Sequence, residues 1–323
     1  MTTHRRADLS KVKTISITKR RSKVSEGDFA KPFDEVRDSF SGFAGGLPRM
    51  LAANDLRSIT DDVVRSRRKK KPVILMMGAH VIKVGLAPVV IDLIRRDVIT
   101  AVAMNSAAAI HDVETAMWGH TSEDVALNMN HGRFGMARET GEFINTTLTS
   151  AARGGDDGYA EALARELIAR KAPHLAVSLL AACYMQGIPA TVHAAVGTDI
   201  VHQQPTMNGA ATGEMTFRDF LSLCETCKGL AGGGVVLNVG SAVIMPEVFL
   251  KALTVARNLG AAARGFTTAV FDMNVHYRPT MNVRLRPTQE GGKGYYIIGH
   301  HEIMIPLLAA MITSRMRSRT GPL

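Results

Sequence analysis

The chain has 323 residues, 46% of them apolar, 21% charged and 5% aromatic, with a formal charge of +10. That length and apolar content supply the core of one large domain or two smaller ones and exclude a disordered or fibrous chain. No apolar run reaches the roughly eighteen residues of a membrane span, because charges such as Asp92, Arg95 and Arg96 interrupt each candidate.

Residues 1–45 form a basic N-terminal arm of mixed charge, with a weak alternation in KTISITK. MTTHRRADLSKVK carries no following apolar stretch and is not a secretory signal. With three cysteines, an odd set that makes no disulfide framework, a cytoplasmic location is expected. SFSGFAGGLPRML has the Gly/Pro chemistry of a turn leading into a helix. Residues 46–323 then read as a single α/β domain.

PVILMM (72–77) is a continuous apolar run ended by Gly78, LAPVVIDLIRR (86–96) has helical spacing, and VITAVAM (98–104) is a second β-branched run. This predicts strand, helix, strand, with the strands buried on both faces as in a parallel sheet. RFGMARETGEFINTTLTSAA, YAEALARELIAR and HLAVSLLAACYMQ are predicted helices. Strand-like runs return as IPATVHAA, GGVVLNVG and FTTAVFDM, separated by helical MTFRDFLSLCETCKGL and PEVFLKALTVARNL. Five buried strands alternating with helices predict a doubly wound, mostly parallel α/β fold.

In such a sheet the functional groups gather at the carboxyl ends of the strands. There the sequence places Gly78-Ala79-His80, Asn105-Ser106-Ala107, His193 to Asp199, Gly240-Ser241 and Asp272-Met273-Asn274. Small residues let a ligand approach the backbone, and helices starting there aim free N–H groups at an anion such as pyrophosphate. The five segments together predict a shared ligand cleft.

In order and spacing these segments resemble the deoxyhypusine synthase-like family, as a divergent bacterial-type member, from about Ser39 to about Ala310. The resemblance rests on GAHVIKVGLAPVVIDLIRRDVITAVAMNSAAAIHDVE, SLLAACYMQGIPATVHAAVGTDIVHQQP, GGGVVLNVGSAVIMPEVFLKA, TTAVFDMNVHYRP and GGKGYYIIGHHEIMIPLLAAM. It implies an NAD-binding fold, an NAD-dependent transferase or lyase, and a homotetramer. The cofactor contacts it implies, read with the strand ends above, are Gly78, Ala79, His80, Asn105, Ser106, Ala107, Asp112, Asp199, Gly240, Ser241, Thr268 and Asp272. Lys293 falls near the family lysine that forms a covalent imine, which requires a neutral amine; a surface loop lysine is the other reading.

The family holds its amine substrate with several acids and a tryptophan after the Phe-Asp segment. Here that stretch reads MNVHYRPTMNVRLRP, with Arg278, Arg284 and Arg286, while the single tryptophan, Trp118, lies elsewhere. Arginine suits carboxylate or phosphate rather than a polyamine; a solvated face is the other reading of these residues. A small amine, amino-acid-like or anionic substrate is expected in place of spermidine.

His111 and His276 are candidate acid/base groups at segment ends, with His193 and His301 beside them on the shortlist. Glu247, at a helix start after a glycine-rich strand, is a further candidate; a first-turn glutamate favoured by the helix dipole is the alternative. No metal site is expected, because the histidines lack zinc spacing and Cys224-Glu-Thr-Cys227 stands alone within an amphipathic helix.

The positive charge sits at the ends. Residues 1–71 carry eighteen Lys/Arg against nine Asp/Glu, Arg315, Arg317 and Arg319 follow in the tail, and the body between is near neutral. Without interleaved aromatics this argues against nucleic acid and for a solvated arm or an intersubunit contact. The expected activity is transient hydride removal with NAD, with a small-molecule substrate, a homo-oligomer and no membrane. Two alternatives stand beside it: a non-catalytic dinucleotide- or metabolite-binding protein whose basic arm contacts a partner, and a metal-dependent hydrolase or lyase.

Overall fold

The computed structural model describes residues 4–317, and Arg319 of the basic tail lies outside the described residues. The chain divides into two compact units, Met1–Asn54 and Asp55–Leu323. In the first, three single turns of 3-10 helix, Leu9–Lys11, Ile17–Lys19 and Glu26–Asp28, bury no residue. The alternation of KTISITK does not become a strand, for an isolated strand has no partner for its ladder. The Ser16 hydroxyl instead accepts the Thr18 N–H at 3.2 Å, and Ile15 and Ile17 stay exposed. A helix, Phe40–Gly46, follows, with Ser39 as its N-cap.

The helix Leu51–Arg68 leads into the second unit, which is built on six strands. These are β1 Val73–Met77, β2 Ala101–Asn105, β3 Ala190–His193, β4 Val235–Val239, β5 Thr267–Asp272 and β6 Lys293–Ile298. They form one sheet in the order β3-β2-β1-β4-β5-β6, and every pairing is parallel. The fold class read from the sequence is therefore observed, with one strand more than the five expected. β6 sits at the edge and is largely half-exposed, so its YYII core lacks the continuous apolar signature of the buried strands.

All residues of β1, β4 and β5 are buried, as sheets covered by helices on both faces require. On one face Ile74, Met76, Val236 and Val270 join Leu223, Phe249 and Leu253 in a continuous core, contributed by the helices Gly209–Lys228 and Ile244–Asn258. Phe249 and Phe266 meet edge to face at 6.4 Å. Burying each such side chain contributes about 1.5–3 kcal/mol.

Two helical readings change in detail. HLAVSLLAACYMQ is not one helix: a 3-10 turn at Leu175–Val177 precedes Leu179–Met185, because Ser178 caps the second piece by accepting the Ala181 N–H at 3.0 Å. The helix read from Met215 begins at Gly209, where the Asn208 side chain accepts the Ala211 N–H at 3.0 Å.

The strand order fixes where a ligand can enter. From β1 the chain steps outward to β2 and β3, then returns to lay β4 on the other side of β1. At the carboxyl ends of β1 and β4 the connections diverge and leave a crevice, the position where open parallel sheets bind ligands.

Candidate functional site

Two glycines line that crevice. β1 is followed by Gly78, whose N–H donates to the Val239 carbonyl at 3.0 Å, and β4 by Gly240, whose N–H donates to the Phe271 carbonyl at 3.0 Å. A Cβ on Gly78 would lie 2.1 Å from the Gly240 carbonyl oxygen, so no side chain fits there. Gly240 adopts φ +62°, the left-handed region where glycine carries no Cβ penalty, and a Cβ on it would strike the His301 ring at 2.9 Å.

His301 is the first residue of the helix His301–Arg317 and is buried. Its Nε2 lies 3.0 Å from the Phe271 carbonyl; a carbonyl only accepts, so Nε2 carries the proton. Nδ1 is buried without a hydrogen-bond partner among the described residues. His80 packs edge to face on it at 5.3 Å, and burial, with His301 beside it, lowers the His80 pKa. Ser241 is buried, its hydroxyl accepting the Met245 N–H at 3.2 Å, while its carbonyl accepts from Asn238 at 3.0 Å.

At the end of β2, Asn105 caps the helix Ser106–Trp118 by accepting the Ala108 N–H at 3.0 Å. The Ser106 hydroxyl donates to Asp199 in the segment after β3. Burial raises the Asp199 pKa, opposed by that hydrogen bond and by His202, whose Nε2 is 3.9 Å away. A cavity of about 270 Å³ opens here, lined among others by Lys83, Ala107, His111, Glu114, Phe134 and Asp199. His111 places Nδ1 2.5 Å from the Thr121 hydroxyl, and burial, with the charge of Lys83, lowers its pKa to about 4.

At the end of β5, Asp272 accepts the Asn274 N–H at 3.3 Å and faces His276 Nε2 at 3.6 Å. His276 itself is at the exposed rim, its backbone N–H donating to the Tyr296 hydroxyl at 3.1 Å. Gly78, Ala79, His80, Asn105, Ser106, Ala107, Asp199, Gly240, Ser241 and Asp272 thus all fall at carboxyl ends of neighbouring parallel strands.

Four sequence candidates fall elsewhere. Asp112 is fully buried and holds another helix, accepting from Ser178 Oγ and Leu179 N at 2.6 Å and from Leu180 N at 3.2 Å; it is spent on structure. Thr268 pairs with Val236 and Gly294 near the start of β5, at the amino side of the sheet. Lys293 opens β6 opposite Thr267, five residues before the carboxyl end, or about 16 Å at strand spacing. Its ammonium is exposed and ion-paired with the buried Asp62 at 3.2 Å, so neither desolvation nor position favours a nucleophile. Glu247 is half-exposed and bonded to Lys251, to Arg278 at 3.2 Å and to Asn282 at 3.0 Å. Its pKa is lowered, first by the Lys251 hydrogen bond, which suits a fixed anion better than an acid/base group.

The arginines after β5 are engaged as well: Arg286 donates to Asn282 at 2.7 Å and Arg284 to the Gly294 carbonyl at 3.4 Å. His193 is buried beside Thr191, and burial holds its pKa down at about 3. Among the described residues, no three His, Cys, Asp or Glu side chains gather as metal ligands do, and no helix is long and apolar enough to cross a membrane. Lys83, Glu114 and Thr121 are site residues that the sequence reading did not single out; nothing in their spacing marks the loop that returns Thr121 to His111.

No protein-family model matches the sequence, and no curated protein matches it. Solved structures do resemble it. The apo structure of ArgZ, an arginine dihydrolase from the ornithine-ammonia cycle in cyanobacteria, has a TM-score of 0.51 at 16% identity, over 82% of this chain and 32% of that one. The ternary complex of AgrE with ornithine and NAD+ has a TM-score of 0.52 at 16% identity, over 84% and 34%. The chain spans about a third of the length of both, and at such identity the likeness is one of fold. A putative deoxyhypusine synthase from Entamoeba histolytica is also among these structures, at 10% identity and a TM-score of 0.47, over 88% of this chain and 96% of that one.

Proposed function

We propose that this chain is an NAD-dependent enzyme that removes hydride from a small amine or amino-acid-like substrate in the β1/β4 crevice. The observation that carries the reading is the Gly78–Gly240 approach at the switch point of a β3-β2-β1-β4-β5-β6 sheet, an order associated with dinucleotide binding. The residues present fit the group. The glycine pair lets the ends of β1 and β4 pack in direct backbone contact at the switch point, and the thirteen-residue helix Ser106–Trp118 starts at the adjacent strand end with the dipole sign an anion prefers. Asp272 and Asp199, on either side, are acceptors for ribose hydroxyls. That AgrE, of like fold, was crystallised with ornithine and NAD+ supports the same pairing of ligands here.

Bound there, NAD would supply the hydride acceptor. The protein's own part is to bind, orient and hold protons. His111, neutral near pH 7 because burial lowers its pKa to about 4, accepts a proton or hydrogen bond at the cavity wall. His80 and His301 close the crevice beside Gly240. Lys293 and Glu247 take no direct part, so no lysine imine is included.

We also propose a homo-oligomer. Leu9, Val12, Ile15 and Ile17 of the arm are more than half exposed, surface that association would cover. Isothermal titration with NAD tests the central reading: saturable heat is expected at micromolar to millimolar cofactor, and none at millimolar NAD would overturn it.

A further inference from the structure

The cavity beside Ser106 and Asp199 carries a hydrogen-bond chain whose direction can be worked out. The Thr121 hydroxyl has one proton and donates it to Glu114. The second Glu114 oxygen accepts from Thr140 at 3.0 Å, so that carboxylate is held at both ends. With its proton committed, Thr121 Oγ1 can only accept at its 2.5 Å contact with His111 Nδ1. Nδ1 therefore carries the imidazole proton. In the neutral ring Nε2 is a bare acceptor, and it has no hydrogen-bond partner among the described residues.

The same cavity holds one cation, Lys83, beside the carboxylates of Glu114, Glu123 and Asp199. Lys83 lines it, is exposed, and has no carboxylate within 4 Å among the described residues. Glu123, also in the lining, accepts from the Asn128 side chain at 2.8 Å and from the Gly135 N–H at 2.7 Å. The remaining lining is mostly apolar, including Ile110, Val125, Phe134 and Ile200. One exposed cation, the fixed acceptor of His111, the carboxylate of Asp199, two further carboxylates already hydrogen-bonded at both oxygens, and apolar walls in about 270 Å³ describe a small zwitterionic ligand with an anionic group, an N–H donor and a short aliphatic part.

We propose that this cavity binds the head group of an α-amino acid, its carboxylate on Lys83 and its ammonium N–H on His111 Nε2. Thr121 and Glu114 are positioning residues that fix the His111 tautomer. The assignment of this amino acid as substrate rests on the NAD reading above.

The test uses the full chain and three probes, L-norvaline, n-butylamine and n-valerate, titrated calorimetrically with and without saturating NAD. L-Norvaline should bind, and the two single-charge probes should bind at least about tenfold more weakly. Lys83→Met should weaken L-norvaline by about tenfold or more. Equal binding of the amine or the carboxylate alone would overturn the inference, as would direct competition between NAD and L-norvaline, which would give the cavity to the dinucleotide. NAD binding without L-norvaline binding refutes this inference alone; L-norvaline binding without NAD binding refutes the NAD reading and supports the amino-acid site.

Imidazole ¹⁵N shifts supply a readout that a merely structural role would not move. His111 should show a protonated Nδ1 and a bare Nε2 at pH 7. Thr121→Val should give a tautomer mixture, and Thr121→Ser should restore the single form. An Nε2–H tautomer, or an imidazolium, in the wild-type chain would overturn the relay.

Discussion

Gly78→Ala is the substitution that probes the crevice most sharply. Its Cβ would meet the Gly240 oxygen at 2.1 Å and the carbonyl carbon at 3.0 Å. Real contacts of this kind stay beyond 3.0 Å, so the carboxyl ends of β1 and β4 must part by about 1 Å in a close-packed interior. Both glycine N–H groups are tied into the ladder, to Val239 and Phe271, and those bonds resist the parting. Overpacking of this kind costs about 1–3 kcal/mol, and a weakened hydrogen bond adds about 1 kcal/mol. A loss of about 3 kcal/mol lowers Tm by about 6 °C in a unit of this size. NAD affinity should fall by about tenfold or more, because parting β1 from β4 displaces the strand ends that shape the crevice.

The control is Gly85→Ala, at φ +76° with no atom within 4 Å of the added Cβ. It bears only the left-handed backbone penalty, about 1 kcal/mol and about 2 °C, and should leave NAD affinity unchanged. Differential scanning calorimetry and NAD titration on both variants decide the matter. If Gly78→Ala costs no more than Gly85→Ala and binds NAD like the parent, the reasoning about the crevice is wrong.

Other consequences are equally open to measurement. Lys293→Met should leave NAD binding intact and cost about 1 kcal/mol or less, since Arg65 at 2.5 Å and Thr267 at 3.0 Å still serve Asp62; a mass adduct at Lys293 after cyanoborohydride trapping with substrate would contradict this. Burial raises the Asp219 pKa to about 8, above its unfolded value near 3.9, so folding takes up a proton and stability falls as pH rises through that window. His111 and His193, lowered to about 4 and about 3, act in the opposite sense and lose stability only as pH drops below about 6.5. Between pH 6.5 and 8 the net expectation is a loss of about 1.5 kcal/mol in urea unfolding, abolished in Asp219→Asn; a rise over that interval would refute it. Deleting residues 1–38 should reduce the mass in light scattering while NAD affinity stays within about twofold, and loss of NAD binding would instead tie the arm to the site.

Much of the fold was legible because β1, β2, β4 and β5 are buried on both faces and so appear as unbroken β-branched runs between glycines and helical periods. β6 was not, because an edge strand needs apolar residues on one side only, and the flanking GGKG reads as loop chemistry. The error on Lys293 follows from that one: taken as a loop after the last strand it belongs near the cleft, whereas as the first residue of β6 it stands at the opposite edge. Asp112 shows a different limit. Its carboxylate is held by Ser178, Leu179 and Leu180, more than sixty residues away, and no local pattern reveals such a partner. The strand-end residues were legible since a parallel sheet places every strand's carboxyl end on one side, whichever order the strands adopt. The order itself, and with it the Gly78–Gly240 approach, is a property of the folded chain.

The account depends most on what occupies the space between β1 and β4. A crystal of the full chain grown with millimolar NAD answers this directly. Dinucleotide density should cross Gly78 and Gly240, with ribose hydroxyls within hydrogen-bond distance of Asp272 or Asp199. Density at another face of the sheet, or an unchanged crevice at saturating cofactor, would contradict the central claim.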